Sequence, residues 1–225
     1  MHQEASAFGR NRNPRRVLVL SVIKISSFEI DMILLRKPDR EFVRRQTVRQ
    51  ASQSFTYEAV GATNRQPPYG YVVDHNRARL GNGEAVFDAA KLALRAWKQF
   101  HFEWVEVPLP DTPIQVGEIV PVLARVFGLW SLNFCRIVSV IEESGPISRF
   151  GLAYGTLPDH VESGEERFLI EWDRATGEVS YDILAFSRPN HILARLGYPL
   201  VRRLQKRFAR ESILAMRKAV EPMRR

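Results

Sequence analysis

The sequence has little of several features that would narrow its class at once. It contains one cysteine, Cys135, among 225 residues, so an internal disulfide is impossible and a disulfide-built secreted scaffold is excluded. No uninterrupted apolar run approaches the roughly 18 to 20 residues needed to cross a bilayer, which excludes a transmembrane helix. This cysteine usage fits a reducing compartment, and we therefore predict a cytoplasmic protein.

The sequence also lacks the motifs that would fix a reaction or a cofactor. No two of the five histidines have the spacing of a zinc site, so we predict no metal. Gly81-Asn82-Gly83 precedes a predicted helix, but the third glycine of a dinucleotide motif and the lysine of a phosphate loop are missing. No Gly-x-Ser-x-Gly element occurs. We predict no cofactor, and catalysis stays an open question.

What the chain does have is positive charge that is unevenly distributed. The formal net charge is +8, with +6 in residues 1–50, −7 in residues 51–187 and +9 in residues 188–225. A protein that binds nucleic acid through its folded face normally carries the positive charge on that face, so nucleic acid is a disfavoured partner. Contact between the basic ends and an anionic membrane surface stays an alternative.

Hydrophobic patterning predicts one α+β domain. Asp39 is placed to cap a short helix, Phe55–Val60 alternates like a strand, and an extended segment follows at Tyr71–Asn76. A helix is predicted over about 84–100. The long amphipathic helix that ends near Val220 is predicted to begin after Asn190 as its cap. Between these helices lie six segments of β character, at about 104–107, 118–127, 132–142, 149–157, 165–173 and 178–186.

Short turns between the six segments predict an antiparallel meander. A curved antiparallel sheet of about seven strands that grips a long C-terminal helix is the helix-grip fold, in which the space between sheet and helix is commonly a ligand cavity. Residues 32–225 are predicted to form this single domain. Residues 1–31 are predicted to be a disordered leader, and a signal peptide is disfavoured because Lys24 ends the apolar run after seven residues.

Six blocks of the sequence carry a family resemblance. Together they resemble the family called domain of unknown function nineteen-ninety, also called uncharacterised protein family zero-five-four-eight, from about Met32 to Val220. The resemblance implies a relative of the Bet v 1 and START-type helix-grip proteins, and it implies no catalytic residues. The blocks are Tyr57–Thr63, Pro68–Tyr71, Cys135–Val138, Ala153–His160, Gly164–Phe168 and Ala185–Pro189.

The segment 154–168 is the richest in chemical groups. His160 beside a carboxylate could exchange protons near neutral pH, and Glu165 and Glu166 are the candidate carboxylates, which makes these three residues the catalytic candidates. The structural alternative is a hairpin loop in which Glu165 caps exposed amides and Glu166 pairs with Arg167 across strands.

Other polar and aromatic side chains are candidates for contact with a ligand. An inward-facing Arg136 would need a partner such as Glu166 or a ligand anion, and an outward-facing Arg136 stays equally open. Cys135 is interpreted as a core residue rather than a nucleophile. The predicted ligand-binding residues are Tyr57, Tyr71, Trp97, Arg136, Tyr154, Thr156 and Arg188.

Taken together, these patterns favour a protein that binds a small apolar or amphipathic molecule between its sheet and its C-terminal helix. One alternative is an enzyme of the cyclase, hydratase or hydrolase type that uses the same pocket. Another is an interaction protein whose basic ends contact an anionic membrane or nucleic acid. The sequence predicts neither the identity of the ligand nor the oligomeric state.

Overall fold

The computed structural model describes residues 33–190 and 197–223, and this part of the chain begins with a short strand and a capped helix. Strand β1 (Ile33–Leu34) precedes helix α1 (Arg40–Gln50). Asp39 caps α1 as predicted, because its Oδ1 accepts the backbone N–H of Phe42 at 2.7 Å. The predicted leader and the helix start predicted just after Asn190 lie outside the described residues.

Within residues 33–190 and 197–223, the rest of the fold consists of one long sheet, two further helices and three short 3-10 turns. The 3-10 turns are Ala62–Asn64, Lys98–Phe100 and Glu221–Met223. The helices are α2 (Glu84–Arg95) and α3 (Tyr198–Val220). The strands are β2 (Val72–Asn82), β3 (Val105–Glu106), β4 (Ile119–Val126), β5 (Leu129–Glu143), β6 (Ile147–Thr156), β7 (Glu162–Asp173) and β8 (Glu178–Pro189).

The sheet is antiparallel throughout, in the order β2-β8-β7-β6-β5-β4-β3, with β1 added beside β5. The last strand of the meander therefore returns to pair with β2, the strand that precedes α2. Pairing shifts register between Ile137 and Ser139 and between Arg79 and Gly81, and such irregularities bend strands. The predicted helix-grip architecture, a curved antiparallel sheet around a long C-terminal helix, is confirmed.

Helices α2 and α3 cover one face of the sheet, called here the inner face. In β7, the alternate residues Phe168, Ile170 and Trp172 point to this face and belong to the main core. Polar contacts help to fix α3 over the sheet, and two of them lie in the middle of the helix. The hydroxyl oxygens of Tyr181 and Ser212 lie 2.9 Å apart, and Trp104 Nε1 on the β3 side donates to Glu211 at 2.7 Å.

Helix α1 and the segment 51–71 belong to the opposite, outer face. The prediction of a strand over Phe55–Val60 was wrong, because this segment crosses the sheet without joining it. Its backbone is held instead by single bonds, such as Thr56 N–H to the carbonyl of Thr156 at 3.1 Å. The predicted helix over 84–100 also ends early, at Arg95, because Trp97 adopts a left-handed backbone conformation with φ +55°.

Candidate functional site

A cavity of about 840 Å³ lies between the inner face of the sheet and α3. Its volume is in the range of small-molecule sites, which is about 300–1,000 Å³. The cavity wall has a mostly apolar part and a second part in which carboxyl groups cluster. The apolar part includes Phe100, Trp104, Val122, Ala124, Leu204 and Phe208, and the acidic part includes Asp74, Glu162 and Glu166.

The strand pleat explains why the acidic groups lie together. Glu162 and Glu166 lie four residues apart on β7, so both point to the inner face with Phe168. Across the sheet, Glu166 pairs with Ala185 of β8, and Ala185 pairs with Asp74 of β2. The three carboxyl groups therefore come from one strip of the inner face.

Helix α3 supplies polar partners to two of these carboxyl groups. Both terminal nitrogens of Arg202 donate to Asp74, one of them at 2.7 Å, which makes a bidentate ion pair. The side-chain amide of Gln205 donates to Glu162 and, at 3.0 Å, to the hydroxyl of Ser187. These contacts join the C-terminal helix to β2, β7 and β8 beside the cavity.

Glu166 has a different environment. Its Oε2 accepts a hydrogen bond from the hydroxyl of Tyr154 on β6 at 2.9 Å. Burial raises the pKa of Glu166 to about 8, and the nearby charges of Glu162 and Asp74 add to the rise against the opposing hydrogen bond from Tyr154. Glu166 therefore carries its proton at neutral pH, beside a tyrosine whose pKa burial raises well above its usual value.

We expect the stability of the fold to fall with rising pH because of Glu166. In the unfolded chain its carboxyl group loses its proton near pH 4.5, whereas in the folded chain it keeps it to about pH 8. The folded state thus binds more protons between these values, so stability is lost as pH rises through this window. Between pH 5 and pH 9, the free energy of unfolding of the Glu166→Gln protein should fall by about 1–3 kcal/mol less than that of the wild type. Urea unfolding of both proteins at the two pH values measures the difference, and equal pH dependence would contradict the assignment.

His160 lines the cavity from the loop between β6 and β7, but it is not poised to exchange protons near neutral pH. Burial lowers the pKa of its imidazole to about 4. Its Nδ1 lies 3.0 Å from the backbone nitrogen and 3.1 Å from the carbonyl oxygen of Glu162, so the ring is held by the backbone of the residue that begins β7. His160 is therefore a neutral group that shapes the β6–β7 loop.

Glu165 points to the outer face, away from Glu166, because neighbouring residues of a strand face opposite sides. Its carboxylate is buried, and it accepts four hydrogen bonds. The donors are the Tyr57 hydroxyl at 2.7 Å, the Gly61 N–H at 2.6 Å, and the backbone N–H and hydroxyl of Thr63 at 3.0 and 2.5 Å. Glu165 therefore anchors the segment 51–71 to the sheet.

Several predicted ligand-binding residues also lie on the outer face. Tyr57 and Tyr71 both pack edge-on against Phe186, with ring centroids 5.6 and 5.3 Å apart, and the guanidinium of Arg188 lies over the ring of Tyr71. Arg136 faces outward and donates to the carbonyls of Gln50 and Ala51 at the end of α1. None of Tyr57, Tyr71, Arg136 and Arg188 is part of the described cavity wall.

Two other predicted ligand-binding residues, Tyr154 and Thr156, line the cavity, and Trp97 does not. Trp97 is buried in the core, where its Nε1 donates to the carbonyl of Thr112 at 2.9 Å. The hydroxyl of Thr156 accepts the N–H of Gly164 at 3.0 Å and lies 2.5 Å from the hydroxyl of Thr56. These bonds hold the end of β6, whereas the hydroxyl of Tyr154 binds a carboxyl group of the cavity wall, that of Glu166.

Sequence reasoning missed the groups that complete the acidic part of the site. Neither Asp74 nor Glu162 is among the residues that the sequence predicts for the site. The position of Glu162 could have been predicted, because Glu162, Glu166 and Phe168 are separated by even numbers of residues on one strand and therefore lie on the same face, which Phe168 marks as the buried one. Arg202 and Asp74, which form an ion pair, are 128 residues apart in the sequence, and no local pattern predicts their contact.

Comparison with known proteins gives the family. The family model described as domain of unknown function DUF1990 matches residues 56–215. The chain belongs to the DUF1990 family. A UPF0548 protein of Dictyostelium discoideum is 38% identical over 208 residues, which cover 84% of this chain and 96% of the relative. A UPF0548 protein of Arabidopsis thaliana is 39% identical over 155 residues, which cover 67% of this chain and 74% of that relative.

This DUF1990 chain is also similar to solved structures at low sequence identity. A hypothetical protein of Helicobacter pylori, jhp0584, aligns with a TM-score of 0.45 at 10% identity, covering 76% of this chain and 96% of that one. Ara h 8.0201 aligns with a TM-score of 0.42 at 12% identity, covering 68% and 99%. Human STARD10 aligns with a TM-score of 0.41 at 12% identity, covering 82% and 80%.

Two further features of the described residues bear on the sequence predictions. Within 33–190 and 197–223, no group of three or more His, Cys, Asp or Glu side chains is arranged to hold a metal ion. Over the same ranges, no helix is both long and apolar enough to cross a membrane.

Proposed function

We propose that this DUF1990 protein binds one small, mostly apolar molecule in the cavity between its sheet and α3. The observation that carries the proposal is the cavity itself, a space of about 840 Å³ beside a well-packed aromatic core. The space is open to solvent on one side, where the exposed Phe127 lines it, and a concave, mostly apolar space of this size is the usual form of a small-molecule site.

The composition of the wall supports an amphipathic occupant. Phe100, Trp104 and Phe208 offer apolar surface, and Tyr154 and Glu166 offer a small number of polar atoms. This combination of apolar wall and few polar groups is typical of sites that bind small molecules by burial and orient them by hydrogen bonds.

Tryptophan fluorescence tests the proposal, because tryptophans lie both in the cavity wall and outside it. Trp104 and Trp130 line the cavity, whereas Trp97 is buried outside it. The neutral probe N-phenyl-1-naphthylamine should bind with saturation and quench Trp104 and Trp130. The double variant Trp104→Phe with Trp130→Phe should therefore remove most of the quenching, and Trp97→Phe should leave it in place. A folded protein that gives no saturable response would contradict the proposal, as would quenching that depends on Trp97.

A catalytic use of the same cavity is the second candidate function. One observation favours it: Glu166 holds a proton beside Tyr154 at neutral pH, and a protonated carboxyl group can act as a general acid.

We keep the cytoplasmic location as a prediction that rests on the single cysteine, Cys135, which is buried in the core. Contact between the basic ends and an anionic membrane also stays a prediction.

A further inference from the structure

The cavity wall carries more carboxyl groups than cations. Asp74 is neutralised by Arg202, and Glu162 is bound by the uncharged amide of Gln205. Lys206 reaches the wall from the exposed side of α3. Glu166 lies within 4.0 Å of no lysine, arginine or histidine nitrogen among the described residues, and one of its carboxyl oxygens receives no hydrogen bond there.

A buried carboxyl group with no cation beside it is costly to ionise, the more so next to other carboxylates, and the cost falls when a cation arrives. The raised pKa of Glu166 expresses this cost, because burial is its largest cause. Glu166 lines the cavity, and one of its carboxyl oxygens receives no hydrogen bond among the described residues. A cation that lowers the cost of ionising Glu166 would therefore approach from the cavity.

Aromatic rings pack around Tyr154, the hydrogen-bond partner of Glu166. The ring centroid of Phe100 lies 5.3 Å from that of Phe208 and 5.4 Å from that of Phe168, and the rings of Tyr154 and Phe168 lie 5.5 Å apart. The faces of aromatic rings attract organic cations, and they also accept an apolar body. A carboxyl group beside such rings therefore complements a molecule that is apolar and carries one positive charge.

We propose that the cavity takes an apolar molecule carrying a protonated amine, whose ammonium group binds the carboxylate of Glu166 beside the rings of Phe100, Tyr154 and Phe208. This inference rests on the ligand-binding function proposed above and names the ligand class. When the ammonium binds, the proton of Glu166 leaves to the solvent and a charge-assisted hydrogen bond forms in its place.

Proton release gives the proposal a pH signature. The affinity for an amine should rise between pH 6 and pH 8, because Glu166 gives up its proton more readily as pH rises while a primary alkyl amine stays protonated. His160 titrates well below this range. Among the described residues, charged or titratable groups face Glu166 from six surrounding elements: Asp74 on β2, Cys135 on β5, Tyr154 on β6, Glu162 on β7 with His160 in the loop before it, Tyr181 on β8, and Arg202 and Lys206 on α3.

Calorimetric titration with two naphthalenes of matched size tests this ligand class. At pH 8, 1-naphthylmethylamine should bind about tenfold or more tightly than 1-naphthalenemethanol, because it adds a hydrogen bond to a charged group. Glu166→Gln should remove about tenfold or more of the amine affinity while the affinity for the alcohol changes by about threefold or less. Glu178→Gln, which changes an exposed glutamate on β8, should alter neither.

The outcomes separate the two proposals. Equal affinity of the wild type for amine and alcohol would overturn the amine class, and so would an amine preference that survives in Glu166→Gln. Failure of both naphthalenes to bind would overturn the ligand-binding function itself. If Glu166→Gln does not fold, the wild type alone decides. Affinity that rises with pH, together with an observed binding enthalpy that changes with the ionisation enthalpy of the buffer as proton release requires, supports the proposal. Affinity that is independent of pH overturns it.

Discussion

Replacement of Glu165 by alanine is expected to destabilise the protein by about 3–5 kcal/mol, because it removes the shared acceptor of four hydrogen bonds. Tyr57, Gly61 and Thr63 would keep buried donors without a partner, and the segment 51–71 would lose its anchor to the outer face. Urea or guanidinium unfolding followed by circular dichroism measures the change in the free energy of unfolding.

Glu178→Ala is the matched control for this prediction. Glu178 lies on the neighbouring strand β8, is half exposed, and approaches Arg79 only at 3.9 Å. Its removal should cost about 0.5 kcal/mol or less. If Glu165→Ala were as mild as this control, the carboxylate would not be the anchor that its contacts describe.

The second large effect concerns ligand binding. Ala124→Phe should lower the affinity for N-phenyl-1-naphthylamine by about tenfold or more, because the added ring would occupy part of the apolar end of the cavity. Ala124 lies on β4 opposite Val105 and far along the wall from the acidic groups, so the substitution leaves the hydrogen bonds of Glu166 in place. A fluorescence titration of both proteins measures the change.

Ala175→Phe provides the control, because Ala175 is exposed in the turn between β7 and β8. The same chemical change there should leave probe affinity within about twofold, as expected for a surface site that touches no partner. Undiminished binding by a folded Ala124→Phe protein would mean that the probe binds elsewhere on the molecule.

The sequence was sufficient to predict the meander and its terminal helix, because alternation and turn residues are local signals. It was not sufficient for Phe55–Val60, whose alternation is that of a strand. The backbone of this region is engaged instead by distant groups, such as the carboxylate of Glu165 and the carbonyl of Thr156. Tertiary contacts of this kind override a local pattern.

For the candidate site, the sequence predicted some of the residues but not the face of the sheet on which each one lies. Tyr154 and Glu166 were candidates on chemistry alone, and they prove to share a hydrogen bond at the cavity wall. Strand parity separates Glu165 from Glu166, but only the packing of α3 shows which side encloses the cavity. Tyr57 and Arg136 could not be assigned to a face from sequence, because an irregular segment and the end of α1 cover the outer face there.

The most direct test of the central claim is a measurement of intermolecular nuclear Overhauser effects between protein methyl groups and bound N-phenyl-1-naphthylamine. We predict contacts from the probe to Val122 and Leu204, which line the cavity from β4 and from α3. The methyl groups of Val48, which is 75% exposed on α1, should show none. Saturable binding with contacts only to such outer residues, or no saturable binding by the folded protein, would contradict the claim that the space between sheet and helix is a ligand site.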